Sequence, residues 1–346
     1  MLGINIPYDD FVLTTNGSKC ISHLTPGDIL YEYGTSEPLE VQEVIKTDIQ
    51  TIWSIEYNDK RKMHGTESTP IIYGDRMFPL KDAVRIGKYP PLPTFALDFY
   101  KGHIESPLFP DPYMAGALLI HGDYDDEYVN LPIETRATPN NFIRFKTTSA
   151  IAEILGEDKI YFHWKHKSST ERIKWKEYFP PVHMMYVTWR QAGTPIIPVS
   201  YMRASINDRE KFIRGVFDVG YNRSVIPDNV GTMNCELTHL EEVQKMLWSL
   251  GYLSKIVYNP MIKLSNGKNW RLELLGNYQN YPGVFYDISH IRHALDRDNK
   301  IVPKEPNMRL KIKKIERIGR GYTYKVRVNK PHAICVTSNF LPKVTI

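Results

Sequence analysis

Residues 196–221 read IIPVSYMRASINDREKFIRGVFDVGY, and this stretch decides the fold. Its central part, residues 207–218, predicts a helix with Asn207 or Asp208 as N-cap and Gly215 set into an apolar stripe. A small residue in such a stripe lets another helix backbone approach closely. Residues 111–122, DPYMAGALLIHG, predict a second helix of the same type, with Ala115, Gly116 and Ala117 at its centre. Gly116 and Gly215 lie about one hundred residues apart, the mark of an internal duplication whose sequences have diverged.

Each of these helices leads into the same order of elements: strands, an amphipathic helix, a strand pair. In the first half, residues 146–156 predict the amphipathic helix, with Ala150, Ile151 and Ile154 at helix spacing and Gly156 as C-cap. KIYFHWKHK (159–167) and RIKWKEYF (172–179) then read as two paired strands turning around SST. In the second half, residues 238–250 predict a helix opened by a Thr238/Glu241 capping box and stopped by Gly251. YLSKIVYN, MIKLSNGKNW and RLELLG come next as strands, with a hairpin turn at Asn266-Gly267.

Outside this middle region both ends read as strands. FVLTT, ILYEY, LEVQEVIKT, TIWSIEY and STPIIYG are separated by turn signals such as Asn16-Gly17 and Thr25–Asp28. After about residue 295 come RLKIKKIERIG, YTYKVRV and HAICVTSNF. The two ends share one class, and the middle is an insertion between them.

Composition bounds the function. The 346 residues are 42% hydrophobic and 24% charged, enough for two or three packed domains and against disorder as the dominant state. The longest apolar run, near residues 115–120, is far short of the ~20 residues that span a bilayer, so no membrane partner is expected. MLGINIPYDD lacks the basic and apolar regions of a signal peptide, so secretion by that route is not expected. Cys20, Cys235 and Cys335 are too scattered for a disulfide framework or a CxxC zinc site. The net charge of +5 is compatible with nucleic acid without pointing to it. Twenty-two Tyr and 24 Pro suit a strand-rich, turn-rich chain that exposes aromatic residues.

Several segments together resemble an intein, a split Hint (splicing) domain interrupted by a LAGLIDADG homing endonuclease. LTTNGSKCISHLTPGDIL (13–30) resembles the first Hint block, GTESTPIIY (65–73) the block built around T-x-x-H, and FPLKDAVRIGKYPPLP (78–93) the segment closing the first Hint half. PDPYMAGALLIHG (110–122) and the opening stretch 196–221 resemble the two LAGLIDADG helices, and HLEEVQKMLWSLGYLSKI (239–256) the helix and strand after the second. YTYKVRVNKPHAICVTSN (322–339) resembles the last Hint strand pair. The resemblance implies an α+β chain: an all-β Hint horseshoe (1–100 and 298–346) split by a pseudo-twofold LAGLIDADG domain of αββαββα repeats (101–297).

The departures from the family pattern fall on its chemistry. The splice-junction nucleophile, a Cys or Ser in the family, corresponds to Asn5, counting back from Asp9. The activating histidine of T-x-x-H falls at Thr69, with Thr66 retained, and a hydroxyl cannot do imidazole's acid–base work near neutral pH. The terminal His-Asn pair would fall near Pro342–Val344, where neither residue stands; His332 alone survives. The acidic residues that end the two LAGLIDADG helices and hold divalent metal fall at His121 and Gly220, with Tyr221 in place of the closing glycine. Asp218 matches a non-catalytic acid of the motif, and Asp123 and Asp218 are the only acids a two-residue register slip would bring in. Gly116 and Gly215, the helix-interface residues, remain.

What could persist is DNA binding by the strands of the saddle. Lys159, Lys165, Lys167, Arg172, Lys174 and Lys176 stand against one acid, Glu171, with His163, Trp164, His166 and Trp175 interleaved. In strands, Lys165 and Lys167 share one face, and Lys174 and Lys176 share one. Lys263, Lys268 and Arg271 lie at the corresponding strands of the second half. A solvated strand face explains the same cations without a partner. The basic run from Arg309 to Lys330 reads as the polar outer face of a β-domain, and Asp123, Asp125, Asp126 and Glu127 as an exposed loop.

The sequence therefore points to a freestanding intein-derived protein that has lost splicing and nuclease chemistry. On this reading it serves as a structural or assembly component with other proteins as partners. Because the family is common in phage genomes, the resemblance implies a virion or baseplate type of protein, in the virion or the host cytoplasm. The alternatives are a double-stranded-DNA-binding protein or an active endonuclease with rearranged ligands. No cofactor is expected, magnesium entering only with the last alternative.

Overall fold

The computed structural model describes residues 5–8, 10–73, 76–86, 92–99, 111–121, 123–124, 128–133, 160–165, 168–174, 197–220, 229–235, 237–258, 270–275 and 309–345. The chain is α+β and divides into two compact units. One consists of Met1–His103, Gly251–Leu253 and Asn307–Ile346, and the other of Ile104–Leu250 and Ser254–Pro306.

The first unit begins with strands β1 (Ile6–Pro7), β2 (Phe11–Thr14), β3 (Gly17–Cys20), β4 (Ile29–Tyr31), β5 (Pro38–Tyr57), β6 (Lys62–Gly65), β7 (Pro70–Tyr73) and β8 (Arg76–Pro79). Helix α1 (Leu80–Ile86) and the short β9 (Leu92–Pro93) come after them. Beyond the second unit the chain returns as β17 (Arg309–Leu310), β18 (Ile312–Val328), β19 (Ile334–Val336) and β20 (Pro342–Val344).

The spine is the antiparallel β5–β18 pair, which runs from Ile312 opposite Tyr57 to Val328 opposite Val41 with four register shifts between. Around it the sheet runs β1-β18-β5-β4-β2-β3, with β6 also on β5. Two runs read as separate strands, residues 39–47 and 51–57, are one strand of 20 residues, because β18 supplies backbone partners along its length. β18 likewise runs through Gly319 and Gly321 without a break. Thr15 and Asn16 make the turn that joins β2 to β3, one position before the Asn16-Gly17 pair read from the sequence, and Gly27 makes the next turn at a φ of +91°. Helix α1 interrupts a segment whose prolines read as strands alone. Ile6, Val12, Leu30, Leu39, Val326 and Cys335 lie in one core, so both ends of the chain build it.

The second unit contains α2 (Pro112–His121), β10 (Asp123–Tyr124), β11 (Tyr128–Ile133), β12 (Ile160–Lys165) and β13 (Ser168–Lys174). It continues with α3 (Val199–Met202), α4 (Ile206–Gly220), β14 (Asn229–Cys235), α5 (Leu237–Ser249), β15 (Ser254–Tyr258) and β16 (Trp270–Leu275). Two antiparallel sheets, β10-β11-β13-β12 and β14-β16-β15, share one topology: the last strand of each repeat lies between the two before it. The duplication read from Gly116 and Gly215 thus extends to strand order.

Local readings need four corrections. The N-cap of α4 is Ser205, whose hydroxyl accepts from Asp208 N at 3.1 Å and donates to the Asp208 carboxylate, not Asn207 or Asp208. Thr238 lies inside α5, not before it. Ser168, Ser169 and Thr170 belong to β13, so the β12–β13 reversal precedes them. Asp123 belongs to β10, paired with Asn130, and not to a loop. The helix expected at 146–156, the strand expected at 261–270 except for Trp270, which opens β16, and Asp125, Asp126 and Glu127 lie outside the described residues.

Candidate functional site

In the first unit, Asn5 is buried against a group of hydroxyls. Thr47 Oγ1 donates to the Asn5 side-chain oxygen at 3.2 Å and stands 2.6 Å from Thr323 Oγ1. The Thr66 hydroxyl donates to the Asn5 backbone carbonyl at 3.4 Å. Thr66 to Thr69 form a tight turn: Thr66 N donates to Thr69 Oγ1 at 2.7 Å, and Thr69 N returns to the Thr66 carbonyl at 3.0 Å. A Cβ on Gly65 would lie 2.8 Å from Thr69 Oγ1, so glycine is what lets this turn fold back on β6. Asn5, Thr66 and Thr69, 64 positions from first to last (69 − 5), therefore meet in one place. Chemically the place holds an amide and hydroxyls. The Thr69 hydroxyl is engaged as an acceptor that holds the turn.

The terminal strand brings a residue that sequence reasoning missed. Lys343 is 2% exposed, and its ammonium donates to the Asp10 carboxylate and the His64 carbonyl. It stands opposite Cys335 in the β19–β20 pair. Burial pushes the Cys335 thiol up to about 12, which makes it inert at neutral pH. The signal for Lys343 was a lone charge inside the apolar run FLPKVTI. His332 is exposed, at a left-handed φ of +58°, on the turn before β19.

In the second unit α2 packs on α4. A Cβ on Gly116 would fall 2.0 Å from the Phe212 carbonyl oxygen, so the helices touch through backbone. Gly215 is buried in α4. His121 and Gly220 are the last residues of α2 and α4, five positions beyond Gly116 and Gly215 respectively. Neither residue type offers the carboxylate oxygens a magnesium ion takes. Asp218 lies within α4. Among the described residues no group of three His, Cys, Asp or Glu side chains could hold a metal.

Register sets the faces of the first sheet. Lys165, Arg172 and Lys174 fall on one face with Tyr161 and His163, and Ile160, Phe162, Trp164 and Ile173 fall on the other. Arg172 is opposite Asn130, and in the second sheet Arg271 is opposite Asn234. Arg271 is not a free cation: it pairs with buried Glu273, which also takes Lys255 at 2.9 Å. Lys159, Lys167, Lys176, Lys263 and Lys268 lie outside the described residues. No described helix is long and apolar enough to cross a membrane.

Parts of the chain are similar to inteins and to a homing endonuclease. Among solved structures, a triple mutant of the gp41-1 intein matches at 19% identity and a TM-score of 0.21, over 23% of this chain and 61% of that one. Mesophilic variants of the homing endonuclease I-DmoI match at 12% identity and a TM-score of 0.34, over 54% and 94%. A mutant of an Ssp DnaB mini-intein variant matches at 10% and 0.22, over 39% and 66%. The chain thus spans about three-fifths of the first of these inteins. Likenesses of this size bear on fold alone. No protein-family model and no curated protein matches the chain.

Proposed function

We propose that this is an intein-derived, homing-endonuclease-like protein that has lost splicing and nuclease chemistry and works as a structural or assembly component. The observation that carries the proposal is the Asn5–Thr66–Thr69 cluster. There an amide and hydroxyls are tied to one another in buried and part-buried hydrogen bonds, where the family resemblance implies a nucleophile and an activating histidine. Helix ends without carboxylates at His121 and Gly220 agree with it. Function resides in sites rather than folds, and here packing residues persist where chemical ones do not. The partners are then other proteins, in a virion or the host cytoplasm; the phage assignment rests on the family resemblance alone.

The test has two arms. The chain fused between two reporter proteins is expected to give no spliced or cleaved product. Incubated with Mg²⁺ and supercoiled plasmid, it is expected to leave the plasmid intact. Plasmid cleavage abolished by Asp123→Asn or Asp218→Asn would overturn the proposal in favour of an endonuclease with rearranged ligands. Splicing lost on Asn5→Ala would overturn it in favour of a live splicing element.

The basic face of β12–β13 favours a second reading, double-stranded DNA bound without cutting. Salt-dependent retention of duplex DNA supports that reading, and no retention at low salt removes it.

A further inference from the structure

The middle of the β5–β18 ribbon carries features the lost chemistry does not explain. Ile49, Ile318 and Tyr322 are each close to half exposed, at 46%, 50% and 47%. Ile318 and Tyr322 are the residues skipped at two register irregularities, between Arg317 and Gly319 and between Gly321 and Thr323, and Ile49 lies opposite the second, between Thr47 and Gln50. A Cβ on Gly319 would meet nothing within 4 Å, so backbone lies open in mid-strand. Glycine inside a strand sacrifices side-chain packing and often marks close approach by a ligand or another backbone.

The rim of this patch is basic. Lys46 Nζ lies 3.9 Å from the centroid of the Tyr322 ring. Arg317 and Arg320 are exposed and make no ion pair among the described residues, whereas neighbouring Glu316 is held by Lys314 at 2.5 Å and Glu43, further along the ribbon, by Arg327 at 2.8 Å. Asp48, two residues from Lys46, is exposed as well. Exposed apolar groups inside a charged rim mark interaction sites more than isolated ones do.

We propose that this part of the ribbon docks an acidic polypeptide segment of a partner protein, with apolar side chains at its centre and carboxylates flanking them. Two aliphatic side chains and open backbone suit a peptide. A nucleic-acid strand would need open aromatic faces for stacking, and Lys46 already covers one face of Tyr322. The proposal rests on the assembly reading and supplies its partner chemistry.

The probe is a labelled synthetic peptide with a Leu-Phe-Leu centre and Asp/Glu flanks, measured by fluorescence anisotropy against the full chain. It is expected to bind, to weaken with salt, and to lose about tenfold in affinity with Ile318→Ser or Arg320→Glu. Both substitutions are at exposed positions, and circular dichroism checks that each variant is folded. Equal binding of the same peptide with Lys flanks, no binding, or unchanged affinity in both variants would overturn the proposal. Tighter binding of oligo-dT than of the peptide would overturn it in favour of nucleic acid. The loss of chemistry is judged by the splicing and plasmid assays, so the two can fail separately.

Discussion

Gly116 and Phe212 hold the second unit's helices at backbone contact: a Cβ on Gly116 would sit 2.0 Å from the Phe212 carbonyl oxygen and 2.8 Å from its carbon. A backbone carbonyl cannot rotate aside as a side chain does, so the helices must separate. Gly116→Ala gains about 1 kcal/mol of helix propensity. It is nonetheless expected to destabilise the unit by about 2–3 kcal/mol through overpacking. Urea unfolding followed by circular dichroism measures it, and an unchanged midpoint contradicts the close approach.

That contact was legible because a glycine in an apolar helical stripe has few other uses, and its recurrence at Gly215 exposed the duplication. The β2–β3 hairpin was legible because its turn signal is local, although the turn itself falls at Thr15 and Asn16. What escaped depended on distant partners. β5 reads as two strands until β18 supplies its hydrogen bonds. The Asn5 site was placed by family spacing, but the turn that ties up the Thr69 hydroxyl depends on Gly65 lacking a Cβ. Lys343 escaped altogether, since a lysine normally marks an exposed position and its partner Asp10 is 333 residues away.

Lys343 and Asp10 should behave as a buried pair. Replacing one partner leaves the other charge without compensation. Lys343→Met is therefore expected to cost about 3 kcal/mol. Asp10→Ala combined with Lys343→Met is expected to cost less than Lys343→Met alone, since no charge is then stranded. Thermal or urea unfolding of the two single variants and the double variant gives the coupling directly. Additive costs would show that the pair does not interact in solution.

Stability should fall on the alkaline side. Burial pushes the Cys335 thiol from 9.0 up to about 12, and burial raises the Tyr33 and Tyr57 phenols from 10.0 as well. All three stay protonated in the folded chain while the unfolded chain ionises. The unfolded state therefore binds fewer protons, and stability declines with pH. The stabilisation is complete below about pH 9 and is lost as pH climbs toward 12. Urea midpoints should drop from pH 8 to pH 10.5, and the Cys335→Ala variant should show a shallower drop. Native Cys335 should also resist a thiol reagent at pH 8 and react on unfolding; rapid labelling of the folded chain contradicts the buried thiol.

If duplex DNA binds the second unit, the cations should not act alike. Lys165 and Lys174 share the basic face of β12–β13, so Lys165→Ala and Lys174→Ala are each expected to lower the salt slope of binding by about 1. Arg271 is committed to Glu273, a carboxylate with a side chain only 2% exposed. Arg271→Ala leaves that carboxylate with Lys255 alone, so its main expected effect is a stability loss of about 1–3 kcal/mol. Binding titrations across salt, run beside urea unfolding for each variant, separate the two outcomes. Should Arg271→Ala weaken DNA binding as much as Lys165→Ala at unchanged stability, Arg271 would be a DNA contact whose pairing with Glu273 gives way to phosphate.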